Sequence, residues 1–163
     1  MVMDANSMEQ PQAEKTVMAA RIIWAGISCG VLVMGALGVA LFQGILPKPP
    51  MGQVHLPKGM LRIAAYGLAV AAIPASALIK KLVLRSLGTA SNTASAVAGG
   101  VAVLCTVSEG PALLGLVLLF LGGEFGDFCV LWLVSAVLLA YNFPFREQWL
   151  SALRREKTPP AIG

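Results

Sequence analysis

Glu109 stands alone in an apolar stretch, with 23 uncharged residues before it (Ser86 to Ser108) and 14 after it (Gly110 to Gly123). A carboxyl at such a depth in lipid must be neutral, paired or turned toward a wet cavity, which makes it a functional-site candidate. Desolvation disfavours the charged form. The acid is therefore expected to be neutral at rest, with one hydrogen bond to give, either to the carbonyl of Val107 or to Thr106. Pro111 follows two residues later and has no N–H to offer the Val107 carbonyl, so a local polar pocket is expected around the carboxyl. Two readings of Glu109 stand side by side. In one it is a protonated cross-link between helices. In the other it gains and loses a proton, or binds a cation, as part of a cycle. Glu109, Thr106 and Pro111 form the candidate proton- or ion-binding set.

The remaining reactive residues point to little chemistry. Cys29, Cys105 and Cys129 each stand alone in an apolar run, and no CxxC or Cys/His spacing suggests zinc or an iron–sulfur cluster. They read as small packing residues. His55, the only histidine, lies in the Pro-rich segment QVHLPKG and reads as a solvated loop residue. Glu124 and Asp127 fall in GGEFGD, a tight turn read as solvated, where two carboxylates are too few for a metal. No metal site and no cofactor are expected. No Ser-His or Cys-His pairing and no phosphate-cradling loop is present, so an enzyme is not expected. No basic cluster interleaved with aromatics suggests nucleic acid.

The elements that carry these residues are apolar and helical. The chain is 57% hydrophobic and 12% charged over 163 residues. A soluble domain carries about 25% charged residues, so half that share indicates a lipid-embedded protein. About 20 residues of helix cross the hydrocarbon core. Four segments come near that length: about 22–43, 61–79, 94–121 and 127–143. Residues 1–16 read as a disordered tail, without the pattern of a cleaved leader. Residues 17–143 form the four-helix transmembrane domain. Pro74 is expected to kink the second span by freeing the carbonyl of Val70. Residues 144–156 form a short amphipathic helix, with Phe145, Trp149, Leu150 and Leu153 opposite Arg146, Arg154 and Arg155, laid on the membrane surface. Residues 157–163 are a tail. The fold class is thus an all-α integral membrane protein with four transmembrane helices and a C-terminal interfacial helix.

Charge sets the orientation. With four spans, Lys15, Arg21, Lys80, Lys81, Arg85, Arg146, Arg154, Arg155 and Lys157 share one side, and Lys48, Lys58 and Arg62 the other. Nine against three places both termini in the cytoplasm, in a cell (inner) membrane. Packing positions are also legible. Gly26 and Gly30 form a GxxxG pattern followed by Gly35 and Gly38 in the first span, and Ala98 and Ala102 lie on the helix face of Glu109. Small residues let helix backbones approach closely. The partners expected are the lipid bilayer and either further copies of the chain or other membrane subunits.

SEGPALLGLVLLF, residues 108–120, resembles the carboxylate helix of the proteolipid (c-type) subunits of rotary ATP synthases, with a looser likeness over residues 60–121. That family places a Glu or Asp mid-helix, often with Pro two residues later and a Gly-Leu-Val-like run after it. The resemblance implies that Glu109 carries the ion. Sodium-binding members add a hydroxyl residue directly after the carboxylate, where this chain has Gly110, so a proton is implied. The family's polar loop is replaced here by KKLVLRSLG. The resulting expectation is a small polytopic membrane protein that binds or transfers protons at Glu109. The alternative is a non-catalytic scaffold or assembly subunit of a larger membrane complex. A small-solute transporter is the weaker third class, because the two halves of the chain show no internal repeat.

Overall fold

The computed structural model describes the backbone of residues 5–46, 58–87 and 93–154, and the side chains of 14–46, 59–87 and 94–151. The described residues form five helices and no strand: α1 (Ala5–Phe42), α2 (Lys58–Ser86), α3 (Thr93–Phe120), α4 (Phe125–Tyr141) and α5 (Arg146–Arg154). Stretches within α1, α2 and α3 are long and apolar enough to cross a membrane: Glu14–Phe42, Gly59–Ser86 and Ala94–Phe120. α4 is apolar but has only 17 residues, about 25 Å at 1.5 Å per residue.

α3 is the hub. It packs against α1, α2 and α4, whereas the backbones of α1 and α2 do not come close to each other among the described residues. Its candidate span is also the most buried of the three. The outward surface is lipid-like: Leu32, Val33, Ile63, Leu68, Val70 and Leu78 are all more than half exposed. A soluble monomer does not present so much contiguous apolar surface.

Glycines define two of the helix ends. α1 and α3 both close with a left-handed glycine, Gly44 (φ 72°) and Gly122 (φ 79°). After α3, the Gly123 N–H donates to the Leu118 carbonyl (2.8 Å) and the Gly122 N–H to the Leu119 carbonyl (3.2 Å). This double closure satisfies carbonyls that a helix end otherwise leaves bare. It turns the chain directly into α4, which returns along α3. Gly38 admits the ring of Phe128 from α4 so closely that a Cβ there would collide with it. The rings of Phe42 and Phe125 stack at 4.2 Å across the same end of the bundle.

Two elements differ from the sequence expectation. α1 begins at Ala5, within the 1–16 segment read as a disordered tail. Beyond that segment, Val17 and Ala20 of α1 are buried in one cluster with Trp149 of α5 and Leu87. Through this cluster α5 does not leave its whole apolar face exposed. Trp149 is fully buried and Leu150 packs against that cluster, leaving Phe145 exposed. α5 caps the bundle. Pro74 lies inside α2, and helix is assigned on both sides of it. His55, Lys48, Arg155, Lys157 and the 157–163 tail lie outside the described residues, as do the side chains of Lys58, Leu153 and Arg154.

Candidate functional site around Glu109

Glu109 stands 15 residues after Ala94 and 11 before Phe120, the ends of the candidate span in α3. That puts it about 16 Å along the helix from the nearer end. Its side chain is turned toward α1. A Cβ built on Gly30 would lie 3.2 Å from Glu109 Oε1. Gly30 therefore leaves the volume that the carboxyl occupies. Among the described residues, no side chain forms an ion pair or a hydrogen bond with the carboxylate.

The rest of the candidate set is divided. The Thr106 hydroxyl donates to the Ala102 carbonyl (2.9 Å), so it is bonded within its own helix and not to Glu109. Thr106 is exposed while Cys105, one turn before Glu109, is fully buried. Pro111 is fully buried inside an unbroken α3. Just past it, the Ala112 N–H donates to Ser135 Oγ of α4 (2.8 Å), a cross-helix bond beside the turn that the proline disturbs. Of the packing glycines, Gly35 lies against the Trp132 indole, which donates to the Val31 carbonyl (2.8 Å). Gly38 meets Phe128, and a Cβ added at Gly26 would meet nothing within 4 Å outside its own helix backbone. Ala98 and Ala102 are half-buried on α3.

Two polar clusters were not foreseen. At the α3–α4 turn end, Asp127 is buried and accepts from Arg62 (2.8 Å) and from the Tyr66 hydroxyl (2.8 Å). Glu124 is exposed and lies 3.5 Å from the same guanidinium. The turn is thus only half solvated. Asp127 also sits in the first turn of α4, where a helix favours negative charge. The four-span reading already places Arg62 and Asp127 at one level, and that coincidence was the available signal.

At the opposite end, Asn142 caps α4 and its Nδ2 donates to Ser76 Oγ (2.7 Å) and Ser108 Oγ (2.9 Å), tying three helices together. The Ser108 hydroxyl donates to the Leu104 carbonyl (2.7 Å). Lys80 buries its stem and donates from Nζ to the Tyr141 carbonyl (2.7 Å). Nothing in the sequence pattern marks Ser76 and Ser108 as partners of Asn142, since a helical period names faces and not neighbours.

No group of three or more potential metal ligands converges among the described residues. The cysteines are free, with Cys29 and Cys129 exposed. What the Glu109 arrangement can do chemically is limited and specific. A half-buried acid with no ion-pair partner among the described residues can hold and release one proton. No protein-family model, curated protein or solved structure matches this chain.

Proposed function

We propose that this chain is a four-span membrane protein that binds and releases a proton at Glu109 within its helical bundle. The observation that carries the reading is the carboxyl of Glu109, set midway along α3 against Gly30 and without a bonding partner among the described residues. A structural cross-link would hold a hydrogen-bond partner on the neighbouring helix, and the half-buried carboxyl of Glu109 has none among the described residues. The likeness of residues 108–120 to the proteolipid carboxylate helix supports the same assignment, with the proton as the ion.

Four spans are supported by the way α4 runs back along α3 between two polar ends, Arg62–Asp127 and Lys80–Tyr141. A helix somewhat shorter than the hydrocarbon core is accommodated by local thinning and by snorkelling neighbours. The nine-to-three excess of Lys and Arg supports cytoplasmic termini in a cell (inner) membrane.

The test is proton flux in liposomes loaded with a pH-sensitive dye. Wild-type protein should dissipate an imposed proton gradient and Glu109→Gln should not. Equal flux through both would overturn the reading. The second reading, a scaffold or assembly subunit, is favoured by Gly26, which is exposed and where an added Cβ would meet nothing within 4 Å outside its own helix backbone. A neighbouring membrane helix, from another copy or another subunit, fits there. If that reading is right, Gly26→Leu abolishes recovery of a complex in mild detergent and Glu109→Gln does not.

A further inference from the structure

On the N-terminal side of Gly30, a groove of about 410 Å³ opens beside α1, where α5 begins. Its lining is divided by polarity. Glu14, Arg21 and Arg146 form one part, and Met18, Ile22 and Ala25 form an apolar wall along one side of α1. Met18 and Ile22 are 65% and 66% exposed. Arg146 is ion-paired with Glu14. Arg21 is held differently: its Nε donates to the Pro144 carbonyl (3.4 Å) and its guanidinium lies 5.5 Å from the centre of the Phe143 ring. These contacts orient the fork and leave its terminal N–H groups without a partner among the described residues. Trp24, edge-on to Phe143, lies at the same level, as expected of aromatics at a membrane–water boundary.

We propose that this groove binds an anionic phospholipid, with the phosphate on Arg21 and Arg146 and one acyl chain along Met18, Ile22 and Ala25. Three considerations select this ligand. The two arginines outnumber the one carboxylate, so the site carries net positive charge. A guanidinium fork matches phosphate oxygens in a bidentate way that an ammonium does not. The apolar wall begins beside the charged groups and belongs to a helix long and apolar enough to cross a membrane, so a ligand with a charged head and a hydrocarbon tail satisfies both parts. Basic pockets at the membrane surface bind anionic headgroups on this principle. Glu14 competes with the phosphate for Arg146.

The experiment is native mass spectrometry of the full chain purified in a neutral detergent, with equimolar phosphatidylglycerol and phosphatidylcholine added. Phosphatidylglycerol should be retained about fivefold or more over phosphatidylcholine, since each basic side chain near a membrane surface contributes about a factor of five. Arg21→Gln should remove most of that preference, and Arg21→Lys should retain part of it. Glu14→Gln should increase retention, an opposite shift that mere misfolding would not produce. Equal retention of the two lipids, or a preference indifferent to Arg21→Gln and Arg146→Gln, overturns the proposal. Displacement of phosphatidylglycerol by millimolar inorganic phosphate also overturns it, by identifying a site for the free anion.

Discussion

Asp127 and Glu109 are both carboxylates within an apolar bundle, and the protein treats them in opposite ways. Asp127 sits at a helix start, nearly inaccessible, with a guanidinium and a phenol hydroxyl both at 2.8 Å. Glu109 sits midway along the hub helix, beside a glycine on one neighbour, with no partner among the described residues. The contrast is between a buried, bonded acid and a half-buried one without a bond among the described residues. Asp127 joins α4 to α2 as the buried acceptor for the half-exposed Arg62 guanidinium and the Tyr66 hydroxyl. Glu109 joins no other side chain among the described residues, and on the proposed reading a group that changes protonation state is better placed where no bond fixes that state, with Gly30 supplying the space.

The largest effect that would sharpen this contrast is expected at Asp127. Asp127→Ala leaves Arg62 and Tyr66 without their acceptor. Arg62 is half exposed, so water offsets part of the loss. A destabilisation of about 2–3 kcal/mol is expected, read as a lower melting temperature in detergent. A loss no larger than that of an exposed substitution would show that the Asp127 cluster is not structural.

Next comes the glycine opposite the carboxyl. Gly30→Leu must displace Glu109 or separate α1 from α3, a strain of about 1–3 kcal/mol. Gly26→Leu, one turn earlier and unopposed, should change the stability of the isolated chain by less than about 0.5 kcal/mol. Equal losses at both positions would mean that Gly30 does not serve the carboxyl. The smallest effect on stability is expected at Glu109 itself. Glu109→Gln keeps the volume and loses no bond, so its melting temperature should match wild type within an equivalent of about 0.5 kcal/mol. A loss of about 2 kcal/mol, comparable to that at Asp127, would return Glu109 to the structural reading.

Much of the architecture is legible in the sequence, because hydropathy and punctuation are local signals. The apolar runs, the Gly-Gly turn after Leu121 and the helical period of FREQWLSALRRE correspond to α1 through α5. Glu109 stands out because charge is costly in an apolar run. What escaped is pairing in space. Trp149 has the spacing of a lipid-facing residue, yet it is buried in one cluster with Val17 and Ala20 of α1 and with Leu87, neighbours more than 60 residues away in sequence. Asp127 reads as solvated because its shielding comes from α2, more than 60 residues away. The Thr106 hydroxyl looks available to Glu109 by spacing, but it takes the carbonyl one turn back within its own helix, a common habit of hydroxyl side chains in helices. In each case the deciding neighbour belongs to another turn or another helix.

The most direct measurement of the central claim is a pH-difference infrared spectrum of the protein in lipid, comparing wild type with Glu109→Gln. The expected result is a protonated-carboxyl C=O band that fades as pH rises in wild type and is missing from the variant. A band that does not change with pH, or one that survives Glu109→Gln, would contradict the assignment of Glu109 as the group that binds and releases the proton.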